Sequence, residues 1–175
     1  IHNGVKSIGS NAFLNCTALE NISLPEETLT IISHEAFKNC SNLKKIVIPK
    51  KTEVLSANCF AYCSSLEEVV FDKDSKIDSI GIKCFYECRN LESITIPNSV
   101  IYIYDSAFSK CTKLKSLKMP ENLQVIGTEC FFECFSLTDI TCNDKLLKIG
   151  DATFLFCKNL LNIELPDSLT SIGEL

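Results

Sequence analysis

The sequence repeats itself with a period close to 23 residues, and this regularity limits the possible folds more than any other feature. Phe recurs seven times at spacings of 23 to 25 residues, Cys follows each Phe by three positions, and Leu follows each Cys by three. One copy is too short to bury its own apolar residues, so the copies are expected to stack and bury one another's. We therefore predict a repeat solenoid with one buried row of aromatic rings. The row consists of Phe13, Phe37, Phe60, Phe85, Phe108, Phe131 and Phe154.

Two segments of each copy favour extended backbone. In the pattern L-x-x-I-x-I the last two apolar positions alternate, which predicts a strand, and Pro follows in five of seven copies. The V-x-x-I-G segment predicts a second, shorter extended piece, after which Gly81, Gly127 and Gly150 permit a backbone turn. The A-F-x-x-C segment has the i, i+3 spacing of a single helical or 3-10 turn. The L-x-x-I-x-I strands should then stack, one from each copy, into a single parallel sheet.

The run F-x-x-C-x-x-L-x-x-I-x-I-P resembles the BspA-like, treponemal-type class of leucine-rich repeats over essentially the whole chain. The resemblance implies an α/β-type leucine-rich repeat solenoid. It also implies a cell-surface or secreted protein that adheres to host or matrix proteins such as fibronectin and fibrinogen. Thr52 departs from the pattern where Val or Leu is expected, and residues 71–81 form the longest variant, for which we expect a bulge.

The domain organisation follows from the same columns. Residues 1–175 are predicted to form a single leucine-rich repeat domain of seven repeats. The chain begins and stops in mid-repeat without the polar capping repeats that solenoids need. We therefore expect a longer protein, from which this chain is truncated at both ends.

Eleven Cys are the unusual feature of the composition. Zinc needs four convergent ligands, whereas each C-x-x-x-C here is one turn of the same unit and the chain has only two His. Stacked copies lie close enough for disulfides, but in-register side chains point the same way and an odd total prevents complete pairing. Free thiols acting as small buried hydrophobes are the favoured interpretation, with disulfides as the alternative.

Composition and motifs argue against several functions. A net charge of -5 does not suit a nucleic-acid partner, and no window approaches the length of a membrane span. The sequence contains no Gly-rich phosphate loop and no H-E-x-x-H motif, and His34 is expected to be structural or exposed. We therefore predict no enzyme, no catalytic or metal-binding residue, no cofactor and no small-molecule substrate.

The outward columns of the L-x-x-I-x-I strands are the candidate binding site. Their charges change from basic to acidic and back to basic along the chain. The residues are Lys44, Lys45, Glu67, Glu68, Glu92, Lys115 and Lys118. A constant framework with variable exposed columns suits the recognition of a protein, although it also suits simple solubility.

Two functional hypotheses follow from these observations. The first is a non-enzymatic protein-binding or adhesion module at the cell surface or in a secreted protein. The second is an intracellular, cytoplasmic scaffold for protein interactions, which reduced thiols favour because redox state follows the compartment.

Overall fold

Each copy of the repeat makes one turn of a parallel β-solenoid, and the chain completes about seven turns. The computed structural model describes residues 1–174. Most turns contribute two short strands. In chain order these are β1 (Ser7–Ile8), β2 (Ile31–Ile32), β3 (Lys45–Ile48), β4 (Val54–Leu55), β5 (Glu68–Phe71), β6 (Ser79–Ile80), β7 (Ser93–Thr95), β8 (Tyr102–Ile103), β9 (Ser116–Lys118), β10 (Val125–Ile126), β11 (Asp139–Thr141), β12 (Lys148–Ile149), β13 (Asn162–Glu164) and β14 (Ser171–Ile172).

The continuous sheet is built by the V-x-x-I-G segments and not by the L-x-x-I-x-I segments. Its eight strands run in the order β1-β2-β4-β6-β8-β10-β12-β14, and we call it the long sheet. The L-x-x-I-x-I strands form two short sheets, β3-β5 and β13-β11-β9-β7, and residues 19–24 of the first copy contain no strand. The prediction of one sheet formed by the L-x-x-I-x-I strands is therefore wrong.

The break between the short sheets coincides with the longest copy. Phe60 and Phe85 are 25 residues apart, and the extra residues follow β5. There the chain turns on itself, because the Asp72 carboxylate accepts the Asp74 N–H at 3.0 Å and the Asp72 carbonyl accepts the Ser75 N–H at 3.0 Å. The long sheet continues past this point through the pairing of Leu55 with Ile80.

The A-F-x-x-C segment is not helical, which corrects the predicted helical or 3-10 turn. In the first copy Asn11 and Asn15, on either side of Phe13, both have φ of 60°. The N–H groups of Asn11, Phe13 and Asn15 donate to carbonyls of the next copy at 3.0, 2.8 and 2.9 Å. Because of the left-handed residues, every second N–H group points toward the next copy and forms a hydrogen bond there, so a helix cannot form.

The same conformation recurs in all seven copies, two positions before and two positions after each Phe. We call this set of inter-copy hydrogen bonds the turn ladder. Residues other than Gly, Asn and Asp adopt this conformation at a cost of roughly 1–2 kcal/mol each. The left-handed residues are Asn11, Asn15, Glu35, Asn39, Asn58, Tyr62, Lys83, Glu87, Ser106, Lys110, Glu129, Glu133, Ala152 and Phe156.

The predicted row of aromatic rings forms the centre of the core. Adjacent rings lie nearly parallel with centroids 4.9 to 5.7 Å apart. The five middle rings are fully buried, whereas Phe13 and Phe154 are partly exposed. The burial prediction is therefore confirmed for five of the seven rings.

The Cys column beside these rings has a defined polar role. All eleven thiols are free and eight are buried. Within the column, six thiols donate a hydrogen bond to the carbonyl of the Phe in the preceding copy, as Cys63 does to Phe37 at 3.2 Å. Burial also raises the pKa of Cys40 to about 11. Each of these carbonyls also accepts the N–H of the Cys three positions later in its own copy, so the thiol supplies a second hydrogen bond.

Gly127 is required for close approach and not for a left-handed backbone. A Cβ atom at this position would lie 2.5 Å from the backbone N of Asp105 in the preceding copy. Gly9, which occupies the same column in the first copy, has nothing within 4 Å of that position. The expected role in permitting a turn is therefore replaced by tight packing between neighbouring copies.

Candidate protein-binding surfaces

The charged columns on the short sheets form ion pairs within the chain. Lys45 Nζ lies 2.9 Å from a carboxylate oxygen of Glu68 on the neighbouring strand, and Lys115 Nζ lies 2.8 Å from Glu92. The hydrogen bond and charge of Lys115 lower the pKa of Glu92. Lys44 Nζ is 3.8 Å from Glu20, so the alternation of sign seen in the sequence largely becomes charge pairing between copies.

Glu67 and Lys118 are the two predicted residues without an ion pair within residues 1–174. Glu67 directly precedes β5, and Lys118 ends β9. The strand hydrogen bonding is interrupted between β5 and β7, with the predicted residues of copies two and three on one side of the interruption. β5 nevertheless packs beside β7, so the seven predicted residues lie along one face of the solenoid, in or directly before the strands of the two short sheets.

A second surface lies on the long sheet, where sequence reasoning placed no site. Tyr102 and Tyr104 are 38% and 44% exposed, with ring centroids 6.0 Å apart and planes 16° from parallel. Val125 pairs with Tyr102 on the next strand. Ile101 and Leu147 are joined through Gln124, whose N–H donates to Ile101 and whose carbonyl accepts from Leu147. We call five residues of three adjacent copies the tyrosine patch: Ile101, Tyr102, Tyr104, Val125 and Leu147.

Two exposed carboxylates border the tyrosine patch. The Asp78 carbonyl accepts the Ile101 N–H at 2.7 Å, and Asp105 follows Tyr104 directly. Neither aspartate has an ion pair within the part of the chain that the structure describes. On the opposite side, Lys148 pairs with Val125 along the sheet. The tyrosines therefore have beside them two carboxylates that accept hydrogen bonds within the chain but form no ion pair in residues 1–174.

His34 and the potential metal ligands are dispersed over the part of the chain that the structure describes. His34 is exposed and lies 3.5 Å from Glu35, which instead makes its short contact, at 2.6 Å, with Lys38. Within residues 1–174 no three His, Cys, Asp or Glu side chains are grouped to hold a metal ion. Among the same residues, no helix is long and apolar enough to cross a membrane.

Comparison with known proteins agrees with this architecture. The BspA type Leucine rich repeat region matches with six copies, over residues 1–81 and 78–175. The chain belongs to the BspA-type leucine-rich repeat family. The resemblance predicted from the Phe, Cys and Leu columns is thereby confirmed.

Solved structures show the same solenoid. A leucine-rich repeat protein from Bacteroides ovatus is 30% identical with a TM-score of 0.85, over 99% of this chain and 44% of that one. The Treponema pallidum leucine-rich repeat protein is 28% identical with a TM-score of 0.82, over 90% of this chain and 72% of that one. A leucine-rich cell surface protein from Faecalibacterium prausnitzii, at 21% identity and a TM-score of 0.59, shares the fold over 97% of this chain and 69% of its own length.

This chain therefore spans less than half of the Bacteroides ovatus protein. No protein of curated function matches it.

Proposed function

We propose that this chain is a non-enzymatic protein-binding module of a cell-surface or secreted protein that adheres to other proteins. The family supports this assignment, because a solenoid offers an extended face that suits proteins better than small molecules. The location rests on the family resemblance and on the Faecalibacterium prausnitzii relative, which is a cell surface protein by name.

The tyrosine patch is the observation that carries the proposal. Tyr is enriched where proteins bind one another, because its ring buries a large area and its hydroxyl still forms hydrogen bonds. Solvent-exposed Tyr102 and Tyr104 lie outside the core, whose centre is filled by the five buried rings of the Phe row. The unpaired Asp78 and Asp105 favour a partner whose docking surface combines apolar groups with Lys or Arg.

The charged columns of the short sheets are proposed as a supporting surface. Because Lys45, Glu68, Glu92 and Lys115 already pair within the chain, a partner would have to replace those pairs. Glu67 and Lys118 are free of such pairs in residues 1–174 and offer the more available charges. Charges of this kind mainly set association rate and specificity.

A binding assay on immobilised proteins tests the proposal. The panel includes fibronectin and fibrinogen, and the variant carries Tyr102→Ser and Tyr104→Ser together. Ser79 and Ser56 occupy the same two columns in other copies, so the fold should tolerate the change. Loss of two aromatic anchors should weaken binding by about 2 kcal/mol or more, which is roughly 30-fold.

A matched control carries Ile31→Ser and Val54→Ser, which remove exposed apolar side chains from the same sheet at a distance from the patch. Equal weakening by both double variants would show that the patch is not the binding site. Absence of binding to every protein of the panel would count against adhesion. The reversal Glu67→Lys, Glu68→Lys and Glu92→Lys should slow association and change its salt dependence, and unchanged kinetics would reduce these charges to a solvating role.

An intracellular scaffold is the second candidate, and the free thiols favour it. The chain has eleven Cys, eight of them buried as free thiols, and free thiols persist in a reducing compartment. A secretory leader in the complete reading frame would rule this candidate out.

A further inference from the structure

Two thiols in the middle of the solenoid are in contact with each other. Cys59 and Cys84 each occupy the position directly before Phe in adjacent copies, and their Sγ atoms lie 3.4 Å apart. Both side chains are fully buried. Backbone hydrogen bonding holds the two copies in register at this point, because the Phe60 N–H donates to the Cys84 carbonyl at 2.9 Å. The two sulfurs therefore meet at a fixed place in the core.

This pair differs from the Cys column that serves the Phe carbonyls. The thiol of Cys63 donates to Phe37 at 3.2 Å and that of Cys88 donates to Phe60 at 3.3 Å, so each points at a backbone acceptor. The thiol groups of Cys59 and Cys84 have only each other as a hydrogen-bond partner among the described residues. Cys130 stands in the same position as this pair, but its neighbours along the stack are Ala107 and Thr153.

We propose that Cys59 and Cys84 form a disulfide when the chain folds in an oxidising compartment. Side chains in register were expected to keep sulfurs of adjacent copies apart, whereas here they converge to contact. Closing the gap from 3.4 Å to a bond of about 2.0 Å requires a small movement of the two sulfurs. The spacing between stacked copies, about 4.8 Å, falls within the range of Cα–Cα distances found in disulfides.

The oxidant is a small-molecule disulfide such as oxidised glutathione, or the disulfide of a thiol oxidoreductase. The thiolate of one Cys attacks a sulfur of the oxidant, forming a mixed disulfide and releasing one thiolate. The thiolate of the second Cys then attacks the protein sulfur of the mixed disulfide and displaces the other half of the oxidant. The two Cys protons pass to the two released thiolates, so one protein disulfide forms and the oxidant leaves as two thiols.

Complete burial fixes when the reaction takes place. An oxidant cannot reach either sulfur after the copies have stacked, so the bond forms while they assemble. A reductant is then excluded in the same way. The two redox forms do not interconvert in the folded state, and the form present records the compartment in which the chain folded. Ala36 and Ala107 occupy the same position in neighbouring copies, so the column does not depend on sulfur for packing.

Refolding in defined redox buffers tests the proposal. Denatured, reduced protein is refolded with either oxidised or reduced glutathione, denatured again without reductant, and alkylated. Refolding with reduced glutathione should leave all eleven thiols to alkylate. Refolding with oxidised glutathione should remove Cys59 and Cys84 from that count with no glutathione adduct on either, whereas an adduct on exposed Cys16 is recognised by its added mass. The oxidised form should also show a higher urea midpoint, which reductant restores to the lower value only after unfolding.

Variants assign the bond, because trypsin releases Cys59 with Cys63 in one peptide and Cys84 with Cys88 in another. Cys59→Ala and Cys84→Ala should each abolish the cross-linked peptide. Cys63→Ser and Cys88→Ser, which keep a donor for the Phe carbonyls, should retain it. Eleven free thiols after oxidative refolding, or a cross-link that survives Cys59→Ala, would overturn the proposal. The outcome is independent of whether the tyrosine patch binds a protein.

Discussion

Truncating the middle ring of the aromatic row gives the most direct test of how this solenoid is stabilised. Phe85 is fully buried, and its ring centroid lies 5.6 Å from that of Phe60 and 5.4 Å from that of Phe108. Phe85→Ala removes the transfer free energy of a buried Phe, about 1.5–3 kcal/mol. It also leaves a cavity, because Phe60 and Phe108 are held in place by their own copies. The total loss in the free energy of unfolding should be about 3–5 kcal/mol.

Phe13→Ala is the matched control because the chemistry is the same and the environment is not. Phe13 is partly exposed and stacks on one ring only, with its centroid 4.9 Å from that of Phe37. Its truncation should cost less than half as much as that of Phe85. Solvent already covers part of the ring, and its loss leaves no closed cavity.

Urea unfolding followed by circular dichroism measures both losses, by linear extrapolation of the free energy of unfolding. The slope m should be recorded as well, because copies of a solenoid interact only with their neighbours and a damaged middle copy can uncouple the two halves. A loss below about 1 kcal/mol for Phe85→Ala would refute the reasoning, since core truncations cost several times more. Equal losses for the two variants would show that burial in the row does not determine stability.

Three further predictions concern the backbone and the thiols, each checked by unfolding in urea. Ala152→Gly should raise the free energy of unfolding by up to about 1 kcal/mol because Ala152 has φ of 49°, whereas Ala57→Gly, where φ is not positive, should lower it by roughly 0.5–1 kcal/mol. Gly127→Ala should lower stability by about 1–3 kcal/mol because its Cβ would meet backbone, and Gly9→Ala, with open space, should not. Burial raises the pKa of most of the thiols, so the folded state favours the neutral thiol. The contribution of this preference to the free energy of unfolding is complete below the unfolded thiol pKa near 8.5. It is lost as the pH rises further, by about 1.4 kcal/mol per thiol per pH unit. A stability that stays flat from pH 8 to pH 10 would contradict this last expectation.

The columns of the sequence predicted the solenoid and its aromatic row because both depend on which residues recur, and recurrence is visible in one dimension. The turn conformation was not predictable in this way. The i, i+3 spacing of Phe13 and Cys16 is compatible with a helical turn, and the Cys16 N–H does donate to the Phe13 carbonyl at 3.1 Å. The left-handed residues that exclude the helix are Asn at only four of their fourteen positions, so composition gives little sign of them.

Which segments form the continuous sheet could not be predicted from the sequence either. Strands of the long sheet are two residues each, too short for alternation to be recognised. The longer L-x-x-I-x-I pattern does alternate, and the continuous sheet was therefore predicted there. The charged columns were found correctly as exposed positions. Their pairing depends on the register between copies, which places Lys45 opposite Glu68. The tyrosine patch did leave a signal, the run Tyr102-Ile103-Tyr104, in which aromatic residues occupy columns that are small or polar in several other copies.

The turn ladder also bears on how such a chain changes length during evolution. Each copy presents its neighbour with the same backbone donors and acceptors, and these contacts involve few specific side chains. A whole copy can therefore be duplicated or deleted within the gene, and the two new neighbours still meet with matching groups. Insertions of one or two residues are a different matter, because they shift every group that follows. The extra residues of the chain's longest copy lie where the short sheets are already interrupted, and there the shift is absorbed in a surface turn without disturbing the turn ladder or the long sheet.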